Sequence, residues 1–396
     1  MVGLGLLVVE MIAPASEAEL AEAVAEAAAK GTPLEIRGGG TRAGLGRPVQ
    51  AEMTLSTNGL SGITLYEPGA LTLVVRAGTP LAGVEAALAA EGQMLPFEPM
   101  DHRALLGTDG EPTIGGVVAC GVSGPRRIQA GACRDAMLGV RFVNGRGEVV
   151  KSGGRVMKNV TGYDLVKLMC GSYGTLGVLS EISFKVLPKP EAEVTLVREG
   201  LSPVAGVAAL SAALGSPFGI TGAAHHGADA GARSLVRIEG LEGSVAYRSG
   251  QLLDQLGPGW EKVTGVSSAA LWRSIGDVMP FAGREGAVWR LSVKPTDGPA
   301  LSTGLREAGL DHTALYDWGG GLVWLLTPGG GDAGASLIRH QIASFGGHAT
   351  LIRASAAILA AIDVFEREPA PLAAISAGLR AKFDPAGILS PGRMRG

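Results

Sequence analysis

TIGGVVACGVSGPRRIQAGACRDAMLGVRFVNGRGEVVKSGGRVMKNVTGYDLVKLMCGSYGTLGVLSEISFKVLP runs from Thr113 to Pro188, with glycine singly and in pairs between short apolar segments. Glycine takes the side chain off the backbone, so this spacing lets main chain pack closely against another backbone or a ligand. A second such place lies upstream, where Pro33-Leu34-Glu35-Ile36 leads into Arg37-Gly38-Gly39-Gly40-Thr41.

The upstream loop is not a dinucleotide fingerprint, because Ala43 stands where a further glycine is needed and Leu45 to Gln50 does not begin a helix. It is not a P-loop either, since no Gly-Lys-Ser/Thr follows. It reads as a plain turn or as a nest of backbone N–H groups for a diphosphate. A nest needs no positive net charge, in keeping with a formal charge of −3. That near-neutral balance also argues against nucleic acid or an anionic membrane surface as partner.

The flanking sequence alternates strand and helix signals. A length of 396 residues favours two domains. Ser16 with Glu19 forms a capping box, Leu20, Val24 and Ala27/Ala28 share a helical face, and Gly31 marks the stop. Leu34–Arg37 and Leu71–Ala77 read as strands; Pro80 opens a helix that Gly92 closes. Arg141–Val150 reads as a hairpin turning at Asn144-Gly145. The mixture is α+β. Pro188-Lys189-Pro190 is a break, and Ser234–Ile238, Ala287–Val293 and Leu322–Leu326 are strand-like runs beyond it. The division expected is 1–190, 191–374 and a tail of 375–396.

Leu4–Val9 is far shorter than the ~20 residues of a spanning helix and has no basic residue before it, so it reads as a buried first strand. Cys120, Cys133 and Cys170 are single and scattered, which argues against a disulfide framework, zinc or an iron–sulfur cluster and fits a reducing, cytoplasmic setting.

Together the two glycine segments resemble the vanillyl-alcohol oxidase (PCMH-type) FAD-binding family, and Ala119–Arg127, Arg134-Asp135 and Val156–Asn159 resemble the FAD-binding subunits of bacterial glycolate oxidase within it. The resemblance covers Pro14 to about Pro190 and resumes at Lys382–Arg393. It implies a two-subdomain PCMH-type FAD-binding domain with a second α+β cap domain. Arg37, Gly38, Gly39, Gly40 and Thr41 would meet the diphosphate. An extended stretch with Pro112, Thr113, Gly115, Gly116, Ala119, Ser123 and Gly124 would follow the ribityl chain and ring. Lys158–Leu165 and Gly171–Val178 resemble the closing stretch, with Gly177 to Ile182 under the adenine half. FAD would be non-covalent, because Thr41 stands where relatives with attached flavin carry histidine. The activity implied is oxidation of a small 2-hydroxy acid such as glycolate or D-lactate. The partners implied are a sister flavoprotein and an iron–sulfur subunit, with docking at the inner face of the cell membrane left open.

The resemblance departs at one place. Stand-alone D-2-hydroxy-acid dehydrogenases of this fold carry a metal-holding His-x-Gly-Asp-Gly-Asn; here His225-His226-Gly227-Ala228-Asp229 has the wrong spacing and reads as a solvent-exposed turn, so no metal is expected. A stand-alone D-lactate-type dehydrogenase and a non-catalytic electron relay remain alternatives. Among the histidines, His348 in Gly346–Arg353 is the candidate base and Arg353 the candidate carboxylate partner, although strand alternation puts them on opposite faces. Trp318 reads equally as core or as flavin neighbour.

Overall fold

The computed structural model describes residues 10–155, 162–227 and 231–394. The expected strand Leu4–Val9, the Val156–Asn159 and Lys158–Thr161 part of the closing stretch, and Ala228-Asp229 lie outside the described residues.

The chain opens on a small parallel sheet of β1 (Glu10–Ile12), β2 (Leu34–Arg37) and β3 (Met53–Ser56), in the order β1-β3-β2. Between β1 and β2 runs the helix Glu17–Lys30. Ser16 Oγ accepts from Glu19 N at 3.2 Å, and Glu19 reaches back to Ala15 N rather than to Ser16 N. Leu20 and Val24 bury against the sheet, and Gly31 ends the helix in the left-handed region at φ 67°.

A second, antiparallel sheet holds β4 (Ile63–Glu67), β5 (Thr72–Arg76), β7 (Met137–Val143), β8 (Val149–Gly153) and β9 (Val178–Lys185), ordered β4-β5-β9-β7-β8; β6 (Gln93–Met94) pairs with β10 (Leu187–Pro188) beside it. Two expectations are corrected here. The link from β7 to β8 is five residues rather than an Asn-Gly pair: Asn144 Oδ1 accepts from Arg146 N and Glu148 N, and Gly147, not Gly145, takes the positive φ. Asn144 thus folds the loop as an Asx turn. Pro80 sits just before the helix Leu81–Ala90, which ends ahead of Gly92.

Residues 192–353 build an eight-stranded antiparallel sheet: β11 (Ala192–Glu199), β12 (Ile220–His226), β13 (Arg233–Gly240), β14 (Glu261–Thr264), β15 (Ala287–Ser292), β16 (Thr313–Asp317), β17 (Leu322–Thr327) and β18 (His348–Arg353), ordered β14-β11-β13-β12-β16-β17-β15-β18. Period-two alternation divides its side chains. Trp289, Leu291, Val323 and Leu325 pack under the helices Gly298–Glu307 and Ala335–Ser344. Val288, Leu315, Leu322, Trp324 and Ile352 face the first half of the chain and share a core with Leu45, Met100 and Leu105. Two buried ion pairs clip the halves together: Glu98 takes Arg237 Nη1 at 2.7 Å, and Arg126 binds Glu239.

The tail returns to the small sheet. Leu34 N donates to Ile388 O, Ser390 N to Leu34 O (both 2.8 Å), and Ile388 and Leu389 bury with Leu20 and Val24. The expected division at 374/375 falls inside the helix Ala370–Phe383, so no break in the chain marks it.

Candidate functional site

The end of β2 and the helix Ile114–Cys120 wall one cleft, and glycine is what lets them meet. A Cβ at Gly38 would collide with Thr113 Oγ1, and one at Gly39 with the Glu111 carbonyl. At Gly115 it would come 2.7 Å from Ala77 O, where Gly115 N already donates at 2.8 Å. The stretch after Thr113 is helical rather than extended, a correction with a local cause. Thr113 caps the helix by accepting from Gly116 N at 3.3 Å, and Gly121 stops it at φ 62°.

Of the residues read as cofactor contacts, Arg37, Gly38, Gly39, Gly40, Thr41, Thr113, Gly115, Gly116, Ala119 and Gly177 line this cleft. Four do not. Ile182 is fully buried between Val75 and Val140 in the sheet core. Ser123 Oγ accepts from Cys133 N at 2.9 Å. Gly124 hands its carbonyl to the Trp318 indole at 3.1 Å, and Pro112 O accepts from Leu81 N.

The cleft also holds residues that sequence reasoning missed: Arg42, Thr57, Cys120, Tyr173, Gly174 and Arg393. Arg37, Arg42 and Arg393 each keep a buried Nε without a partner. Arg37 and Arg393 share the one carboxylate of Glu35, and Arg42 has no ion pair among the described residues, so three guanidinium groups with free Nε–H donors and a net positive charge at a glycine-walled groove suit a diphosphate. Arg42 stands one residue past the glycine loop and Arg393 in a tail already singled out, so the signal was position beside a motif; their convergence needed the fold. By this test the residues present fit the FAD that the sequence led us to expect.

Tyr173, in the wall of the cleft, packs on its other side against the core that the eight-stranded sheet shares with the first half of the chain. There Trp318 sits at φ 52°, a left-handed backbone rare for an aromatic residue, followed by Gly319 and Gly320 at 69° and 106°. Asp317 Oδ1 accepts from Trp318 N at 2.7 Å and holds this turn. The Trp318 ring carries Arg127 Cζ at 4.3 Å and Arg290 Cζ at 5.3 Å from its centroid. Trp318 is 9% exposed and packs in the core with the inward face of the sheet; it is not among the residues that line the cleft.

His348 and Thr350 lie on the Arg290 face of β18, with Thr350 opposite Arg290 and His348 opposite Ser292. Burial, then the Arg290 charge, lowers the His348 pKa. Arg353 is elsewhere: Nη1 donates to Leu105 O and Phe281 O, and Nη2 to Arg284 O. A β-bulge beside it turns it to those carbonyls, so its expected role as carboxylate partner is corrected to bracing two segments, the short helix that holds Leu105 and the turn from Phe281 to Arg284. The His225-His226 turn is corrected too: both lie in β12, and His225 is fully buried with Nδ1 2.9 Å from Ser234 Oγ. Among the described residues no group of three His, Cys, Asp or Glu is placed to hold a metal, and no helix is long and apolar enough to cross a membrane.

Burial raises the Asp317 carboxyl to about 7 from an ordinary 3.8. The folded chain therefore keeps a proton there that the unfolded chain has released, and stability from this group rises as pH falls from 7 toward 4. Asp317→Asn mimics the protonated acid. Its melting temperature is expected to match or exceed the parent's at pH 8 and to lose that advantage at pH 5. A constant difference between the two pH values would contradict the assignment.

The family described as FAD binding domain matches residues 10–153. The chain is 39% identical over 377 residues to the glycolate oxidase subunit GlcE of Escherichia coli (strain K12), covering 95% of this chain and 96% of that one. It is 30% identical to the glycolate oxidase subunit GlcD of Bacillus subtilis (strain 168) over 47% of this chain and 38% of that one. It is 31% identical to a D-lactate dehydrogenase of Anaerostipes hadrus over 36% and 28%. The solved structure of an alkyldihydroxyacetonephosphate synthase overlays on 96% of this chain and 76% of its own with a TM-score of 0.67 at 15% identity, which shows a shared fold.

Proposed function

Since the chain belongs to the family of the glycolate oxidase subunit GlcE, with an FAD-binding domain at its start, we propose that it is the FAD-binding subunit of a complex that oxidises glycolate or a similar small 2-hydroxy acid. The observation that carries this is the match along almost the whole of both chains, joined to a glycine-walled cleft at which Arg37, Arg42 and Arg393 each keep a buried Nε–H without a partner.

In this reading Gly38–Thr41 and Gly116 let backbone approach the cofactor, and Arg37, Arg42 and Arg393 neutralise its diphosphate. Ala119, Cys120 and Tyr173 line the cleft, and Cys120 and Tyr173 pack against the core shared with the eight-stranded sheet. Bound FAD supplies the hydride acceptor for the 2-hydroxy acid. His348 stands on the sheet face that looks toward that core, where a lowered pKa keeps its ring neutral and able to take a proton. Electrons leave through a sister flavoprotein and an iron–sulfur subunit, in a complex that works in the cytoplasm or docks peripherally at the inner face of the membrane. FAD is held without a covalent bond, Thr41 standing in the loop where attachment would need histidine.

The test is reconstitution. The chain should take up FAD and release all of it on acid denaturation, and the assembled complex should bleach its flavin when glycolate is added. Flavin that stays with the precipitate removes the non-covalent claim. Failure to take up FAD removes the cleft assignment, and a complex that stays oxidised removes the substrate.

A further inference from the structure

Arg290 is the anomaly of the eight-stranded sheet. It lies on β15 between Val288 and Ser292, across from Trp324 and Thr350, on the face turned to the first half of the chain. Its Nε is buried without a partner, and no hydrogen bond or ion pair joins it to another of the described residues. Other enclosed arginines on this sheet and around it are answered: Arg237 by Glu98 and Glu239, Arg126 by Glu239, Arg339 by Glu366. A cation taken out of water without a counter-charge is costly, and proteins leave one so where a ligand supplies the charge.

The surroundings repeat the pattern. Arg127 stacks on the same Trp318 ring as Arg290 and also lacks an ion pair among the described residues. The ring is fixed by its N–H bond to Gly124 O and by the strained backbone at φ 52°. His102, 1% exposed, leaves both ring nitrogens unpartnered. Burial, then the Arg42 charge, brings His102 down to about 3, with Arg290 adding to the effect, so it is a neutral hydrogen-bonding group. Asp317, the acid whose field reaches Arg290, is itself pushed toward the protonated form by burial.

We propose that Arg290 and Arg127, laid on Trp318 in the core that Tyr173 joins to the cleft, are the binding site for the carboxylate of a small 2-hydroxy or 2-oxo acid. Arginine's planar fork matches a carboxylate with two parallel bonds. The oxygen on the adjacent carbon of such an acid needs a neutral partner, and His102 and His348 supply ring nitrogens there. The site rests on the flavin reading above and assigns to this chain the residues that choose the acid.

The full chain loaded with FAD is titrated with oxalate, a non-oxidisable mimic of these acids, and separately with inorganic phosphate, following tryptophan fluorescence. Oxalate is expected to bind and phosphate to bind at least tenfold more weakly. Arg290→Met and Arg127→Met should each weaken oxalate at least tenfold with FAD content unchanged, and Arg290→Met should melt no lower than the parent, since it removes a half-buried cation that has no counter-charge among the described residues. Unchanged oxalate affinity in both variants overturns the proposal. So does equal affinity for phosphate, or loss of FAD from Arg290→Met, which would give the charge to the cofactor. Oxalate binding that survives while glycolate fails to bleach the assembled complex removes the oxidase reading and leaves this site standing. Glycolate bleaching without oxalate binding does the reverse.

Discussion

Arg237→Met is expected to lower the stability of the chain by about 3–5 kcal/mol, the typical cost of removing one partner from a buried ion pair. Arg237 is 2% exposed; its Nη1 and Nη2 reach Glu98 at 2.7 and 3.1 Å, and its Nε lies 3.1 Å from Glu239. Without it both carboxylates keep only Arg126, and the seam between the two halves loses its main clip. The stacking of Arg237 on Trp272, 4.7 Å away, is largely kept by methionine's apolar stem, so the loss reports charge rather than volume. Adding Glu98→Gln to Arg237→Met should restore part of the stability, because one stranded charge is gone. Chemical denaturation read by fluorescence measures both; an unchanged midpoint in Arg237→Met would contradict the clip. The pair also sets an acid limit. Burial alone would raise the Glu98 carboxyl, but Arg237 and then Arg126 outweigh it and hold it below 4.5. Its contribution is therefore complete above that value and is lost as pH falls through the lowered one, the reverse of Asp317.

Gly39→Ala and Gly116→Leu are expected to fail in different ways. The Cβ of Gly39→Ala meets the Glu111 carbonyl, and backbone cannot rotate aside as a side chain can. About 1–3 kcal/mol of stability should be lost, as for overpacked sites, and FAD with it, because the loop carrying Gly38 and Gly40 must shift. Gly116 meets no backbone: its Cβ would lie 3.3 Å from Thr113 Oγ1, a tight contact that the hydroxyl must ease by a few tenths of an ångström, and 3.8 Å from Arg42 Nη1, on the cleft wall. Gly116→Ala should gain up to about 1 kcal/mol from helix propensity. Gly116→Leu should melt near the parent but hold FAD at least about tenfold more weakly, on the order of 1.4 kcal/mol. Thermal melting of the apo chain and fluorescence of released FAD separate the two. Equal flavin retention in Gly116→Leu would take this glycine out of the cofactor wall.

Local signals were enough wherever neighbours in sequence make the structure. Ser16, Gly31 and the 3.6-residue spacing of Leu20 and Val24 place a helix whatever surrounds it, and the apolar runs Ala287–Val293 and Leu322–Leu326 mark strands, the second buried on both faces. The density of glycine from Thr113 onward and at Gly38–Gly40 marked where backbone comes close, and the family followed from those words. Glycine does not say what it approaches. Tertiary structure shows that Gly39 and Gly115 face other backbone, that Gly38 faces the Thr113 hydroxyl and that Gly116 faces the cleft. The same limit explains the charged residues. Arg353 was chosen because it stands five residues from His348, but a bulge in β18 turns it to three carbonyls. Arg290, Arg127 and Trp318 come together from three distant segments, and nothing in the spacing of the chain relates them. Whether a buried charge is answered depends on what the rest of the fold brings within a few ångströms, a quantity that sequence order does not carry.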